Sequence, residues 1–100
     1  MEFDPSVGSE IRKVRPAVIV SNDAANRNLS RVVVVPMTSN TTHVYPGEAV
    51  VTVGNNISKT MADQIMAADK SRLKSKLAAL SKADMKAVED AIKVHLAMER

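Results

Sequence analysis

Residues Arg31 to Met37 constrain the fold more than any other stretch, because four consecutive valines, Val32-Val33-Val34-Val35, stand among them. β-branched side chains lose rotamer freedom in a helix and pack well on a pleated surface, so this run reads as a buried strand. Pro36 follows at once. It has no N–H to give a ladder, and so ends regular hydrogen bonding or marks an edge or bulge. A second apolar run, Val18-Ile19-Val20, spans Ala17 to Ser21, opens at Pro16 and closes at Asn22-Asp23, which is a strand followed by a turn.

The rest of the chain is punctuated by turn chemistry. Asn22 to Ser30 is polar and reads as a loop or a single helical turn, and Ser39 to His43 reads as a loop. Pro46-Gly47 makes a turn, after which Glu48 to Val53 alternates as a strand that closes at Gly54-Asn55-Asn56. Ser58 to Met66 is compatible with either state, since Ile57, Met61 and Ile65 have helical spacing in a segment that also suits a strand. Ser71 to Leu73 suggests a helical turn, and Lys76 to Leu80 a last strand. The C-terminal segment predicts a helix. Ser81 is its N-cap, Asp84 supports the first turn, Leu80 staples onto Met85, and Met85, Val88, Ile92 and Leu96 form a core-facing stripe. Four or five strands with short turns and one terminal helix give an α+β domain built on a small curled sheet or SH3-like barrel.

A chain of 100 residues holds one domain, 1–100, with a single modest core. With 45% hydrophobic and 25% charged residues it is globular in composition. It contains no cysteine, which excludes a disulfide framework and a thiolate metal site, and no apolar run reaches bilayer length. No secretory signal pattern is visible at the N-terminus, so a cytoplasmic protein is expected. One Phe and one Tyr leave a core of small aliphatic side chains, so stability is expected to draw on a partner surface. The net charge of +3 permits an anionic partner without identifying one.

Charge distribution is more telling. Arg12, Lys13, Arg15, Arg27 and Arg31 cluster in the first third, beside Ser9 and Glu10. A hydroxyl, a carboxylate and three cations, spread over the seven residues that lead into a rigid strand, can hold and cleave a phosphodiester. The cations of the last third read as a solvated face of loop and helix.

The segment from Val7 to Asp23, with Gly8-Ser9-Glu10 and Arg15-Pro16-Ala17-Val18-Ile19-Val20-Ser21, closely resembles the signature of the MazF/PemK toxin endoribonucleases. The resemblance begins at Asp4-Pro5. It continues through Val35-Pro36-Met37-Thr38-Ser39, Tyr45-Pro46, Ala62-Asp63-Gln64-Ile65 and the terminal helix. It implies a dimeric, SH3-like (CcdB/MazF-like) barrel that cuts single-stranded RNA at short sequences without a metal and is silenced by a cognate antitoxin. No cofactor is implied. Residue by residue, Arg15 matches the family's catalytic arginine, Thr38 its catalytic threonine, and Glu10 a carboxylate required in some members. Ser9, Arg12, Lys13, Ser39 and the Asp63-Gln64 pair are the RNA-binding candidates.

Each of these residues also has a plainer reading. Arg15 could be a solvated residue at a strand entrance, Glu10 an exposed partner of Arg12 or Lys13, and Thr38 a turn former. Asp63 and Gln64 could solvate their segment, His43 reads as a surface or RNA-contact residue, and His95 as a packing residue. Two separated histidines and no cysteine give a metal site no support.

The sequence departs from the family pattern in two places. Relatives open with an aromatic-rich strand before Asp-Pro, where this sequence has only Met1-Glu2-Phe3, so either the start lies upstream or this is a truncated copy. Met66 stands where relatives carry Arg or Lys, which implies one lost phosphate contact. Two alternatives to RNA cleavage follow: a truncated homologue that binds antitoxin or RNA without cutting, and a CcdB-like inhibitor of DNA gyrase. The retained Arg15 and Thr38 favour the nuclease.

Overall fold

The computed structural model describes residues 2–3, 15–74 and 76–98. Its backbone is a six-stranded antiparallel sheet, open at both ends, with one long helix across one face. The strands are β1 (Glu2–Phe3), β2 (Arg15–Ile19), β3 (Arg31–Thr38), β4 (Glu48–Val53), β5 (Asn56–Met61) and β6 (Met66–Asp69). The helices are α1 (Asp23–Asn28) and α2 (Lys82–His95). Neighbours run β1-β2-β3-β5-β4, and β6 also pairs with β3. This is the α+β arrangement expected, with a curled sheet compatible with an SH3-like barrel.

The valine run is the spine. β3 carries β2 along one edge; along the other it carries β6 from Arg31 to Val34 and then β5 at Met37 and Thr38. The partner changes at Pro36, the position with no N–H to donate. Val34 and Val35 are fully buried on opposite faces, as a run apolar on both sides demands. One face packs against α2: Val18, Met37, Ala49 and Val51 meet Val88 and Ala91. On the other face, Ala17, Val32, Val34 and Ala68 form a second small cluster with Ile19, Met66 and Leu73. Arg15 and Thr38 belong to this second face.

The hairpin β4–β5 turns on Gly54-Asn55, with Val53 opposite Asn56. Gly54 has φ +60°, the left-handed value that the first central position of a tight two-residue hairpin turn requires. Ser81 caps α2 by accepting from the Asp84 N–H at 3.0 Å, and Asp84 in turn accepts from the Thr52 N–H of the end strand β4 at 2.9 Å. Met85, Val88 and Ile92 of the expected stripe face the core, whereas Leu96 is exposed, because it stands past the last helical residue, His95, beyond the reach of the cluster. At its other end α2 closes with Ala97 N–H on the Val94 carbonyl and Met98 N–H on the Lys93 carbonyl, with Ala97 at φ 54°. That is the hydrogen-bond pattern of a Schellman cap.

Three further expectations change. The ambiguous segment from Ser58 divides into the end of β5 and a 3₁₀ turn at Ala62–Gln64, because β5 finds β4 and β3 on its two edges. The last strand is β6, not Lys76–Leu80. Those five residues have no regular structure: β6 already occupies the free stretch of β3, and two of the five are alanines of low strand propensity. They lie instead over an apolar hollow of about 500 Å³ lined by Val18, Met37, Val53, Leu80 and Met85, among others. At the N-terminus, Glu2 and Phe3 pair with Pro16 and Arg15, a two-residue strand beside β2.

Candidate nucleic-acid cleavage site

Strand register assembles the site. β2 pairs with β3 so that Ala17 faces Pro36 and Val18 faces Val35, and continuing that register to the strand ends sets Arg15 across from Thr38. Thr38 is in turn paired with Lys59 of β5, and Lys59 with Val50 of β4. Directly paired residues point to the same side of a sheet. Arg15, Thr38 and Lys59 therefore form one row across three strands, on the face away from α2. Two residues distant in sequence, Arg15 and Thr38, become neighbours without either depending on a loop for its place.

Both candidates are half-buried. The Thr38 hydroxyl oxygen accepts from the Asn40 N–H at 3.2 Å, which turns the chain out of β3 and leaves the hydroxyl proton to be donated elsewhere. Ser39 and Asn40 are exposed beyond it. Arg15 offers a planar fork of donors with permanent charge at the mouth of β2.

Lys59 was not anticipated from the sequence. It is 8% exposed, and its ammonium lies 2.9 Å from Glu48 Oε1 and donates to the His43 carbonyl. Glu48 also accepts from the Tyr45 N–H at 3.0 Å. The Lys59 hydrogen bond, then the Tyr45 N–H, hold the Glu48 carboxyl below its ordinary pKa of 4.5. The alternation of Glu48–Val53 pointed to a strand; nothing local showed that its first residue would meet a lysine eleven positions on.

Asp63 and Gln64 sit on the 3₁₀ turn after β5, exposed. Asp63 borders a hollow of about 230 Å³ with Tyr45, Gly47, Glu48 and His95, so the structure groups it with the β3–β4 loop. His95 packs beside Gly47, where a Cβ would come within 3.4 Å of it. His43 is exposed, with its ring centroid 6.4 Å from that of Tyr45. Met66 faces Val34 and packs against the small cluster rather than standing in solvent. Ser9, Glu10, Arg12 and Lys13 lie outside the described residues. Among the described residues no group of three or more His, Cys, Asp or Glu side chains is placed to hold a metal ion.

Residues 1–96 match the model of the PemK-like, MazF-like toxins of type II toxin-antitoxin systems, and the chain belongs to that family. It is 37% identical to the endoribonuclease MazF9 of Mycobacterium tuberculosis, over 96% of this chain and 89% of that protein. It is 34% identical to the endoribonuclease MazF of Staphylococcus saprophyticus, over 97% and 85%. The fold superposes with a TM-score of 0.82 on a mycobacterial endoribonuclease solved in complex with its cognate antitoxin, at 25% identity, covering 99% of this chain and 93% of that one.

Proposed function

We propose that this chain is an endoribonuclease toxin that cuts single-stranded RNA by internal attack of a ribose 2′-hydroxyl, without a metal, and that a cognate antitoxin silences it in the cytoplasm. The observation that supports the reading is the β2–β3 register, which, continued to the strand ends, sets Arg15 across from Thr38, two parts of the family signature distant in sequence.

The chemistry needs three things. The 2′-hydroxyl must lose its proton, the phosphorus must accept a fifth oxygen, and the 5′-oxygen must leave and take up a proton from water. The 2′-O–P bond forms as the P–O5′ bond breaks, giving a 2′,3′-cyclic phosphate and a 5′-hydroxyl. Arg15 holds the non-bridging phosphate oxygens and stabilises the charge that gathers on them, the largest contribution a fixed cation can make. A guanidinium holds its charge permanently, which makes Arg15 a poor proton donor and a good electrostatic partner. Thr38 donates its hydroxyl hydrogen to the same phosphate and fixes its orientation. Glu10, matched on the signature, takes the proton from the 2′-hydroxyl.

No described helix is long and apolar enough to cross a membrane. A homodimer fits a core made of so few large side chains. The antitoxin, as an acidic-apolar tail that folds on binding, would occupy the basic face that the RNA uses. The test is incubation of purified protein with a long single-stranded RNA in EDTA. Discrete fragments ending in cyclic phosphate are expected. An intact RNA beside a folded protein would sink the nuclease and leave a binding protein.

A further inference from the structure

Lys59 is an odd residue for its position. A charged side chain in the middle of a buried strand has to be stripped of water, and a well-packed apolar residue of similar size would serve stability as well or better. What the charge does is gather the loop between β3 and β4. Its ammonium ties the His43 carbonyl and Glu48, Glu48 ties the Tyr45 N–H, and the Tyr45 ring centroid lies 5.6 Å from the same ammonium. Because Lys59 stands in the row with Arg15 and Thr38, this clamp ties the loop to the β5 end of that row. The outcome is an aromatic ring fixed from beneath yet 61% exposed. An exposed aromatic anchored to the β5 end of the row that starts at Arg15, two strands away, offers a base a stacking surface within a nucleotide's reach of that arginine, as single-strand binders combine stacking with a cationic backbone contact.

We propose that Tyr45, held in place by the buried Lys59–Glu48 pair, is the platform on which one nucleobase next to the cleaved phosphate stacks. Tyr45 is then a contact residue, while Lys59 and Glu48 position it without touching RNA. The inference rests on the RNA-cleaving reading of the site and adds to it a residue that recognises a base.

The chain has one tyrosine and no tryptophan, so its ultraviolet emission reports on Tyr45 alone. The probe is a mixed-sequence, single-stranded 2′-O-methyl oligoribonucleotide, which cannot be cut because its attacking oxygen is blocked. Binding is followed separately by fluorescence anisotropy of a label on the oligonucleotide. Tyr45 emission is expected to be quenched as the oligonucleotide binds, after correction for its absorbance. Tyr45→Leu should weaken binding roughly 5- to 100-fold, the fold-change that the loss of one stacked base implies, and Tyr45→Phe should restore most of it. Lys59→Met combined with Glu48→Gln removes the clamp and leaves neither charge unpaired. It should weaken binding as Tyr45→Leu does, and adding Tyr45→Leu to it should cost little more. Binding without quenching, or Tyr45→Leu with wild-type affinity in a protein whose circular dichroism is unchanged, overturns the platform. Cleavage of a natural RNA by the wild-type protein is scored in parallel. If cutting persists while quenching is absent, the platform fails alone; if neither occurs, the nuclease reading fails with it.

Discussion

Arg15 and Glu48 show how one residue's setting decides its use. Arg15 sits at a strand entrance, half in solvent, where its charge can meet a phosphate and still be placed by backbone pairing. Lysine there would keep the charge but lose the two-pronged geometry, so Arg15→Lys should recover only a small part of the activity lost in Arg15→Ala, measured as single-turnover cleavage. Glu48 is held ionised by Lys59, so its folded pKa lies below its ordinary 4.5. A depressed carboxylate contributes stability that is fully present above its unfolded value and is lost as pH falls through the folded one. Thermal melts of the wild type should therefore lose stability on going below about pH 4.5, and Glu48→Gln should be less stable at neutral pH with a shallower acid limb. Identical acid limbs in the two proteins would show that the clamp is not formed in solution.

At the level of elements, the ends of α2 make the sharpest forecast. The helix closes on a left-handed residue, and that residue is Ala97 rather than glycine. An L-residue pays about 1 kcal/mol or more for that conformation, whereas glycine adopts it freely. Ala97→Gly should therefore raise stability by roughly 0.5–1 kcal/mol in a urea melt, less the greater freedom glycine gains when unfolded. Helix α2 was legible in the sequence because its cap and stripe are local; only Leu96, counted in the stripe, is exposed past the helix's end. The valine strand was legible for the same reason. Lys76–Leu80 was misread because an apolar run says nothing about whether a sheet edge is left for it, and β6 had taken that edge. The site divides along the same line. Arg15 and Thr38 came from a family pattern that no local rule would single out, whereas Lys59 escaped because its partner, Glu48, is brought to it only by the β4–β5 hairpin.

The whole molecule places its chemistry on one side and its support on the other. Helix α2 and the larger core cluster back the sheet, while the face with Arg15 and Thr38 points away from them and the clamped loop lies at the end of α2, beside His95. Affinity for single-stranded RNA should then be electrostatic in large part and fall with salt. The slope of log Kobs against log salt should flatten by about 0.7 when Arg15→Ala removes one phosphate contact. The central claim is that Arg15 and Thr38, joined only by register, act on one phosphate. The measurement that meets it most directly is a double-mutant cycle in single-turnover RNA cleavage with Arg15→Ala, Thr38→Val and the double variant. Arg15→Ala alone should cost on the order of 10²–10³ in rate. If the two residues hold the same phosphate, the double variant will be little slower than Arg15→Ala, because removing one already forfeits what the other supports. Losses that simply multiply would mean that the two side chains act apart, and would contradict the site described above.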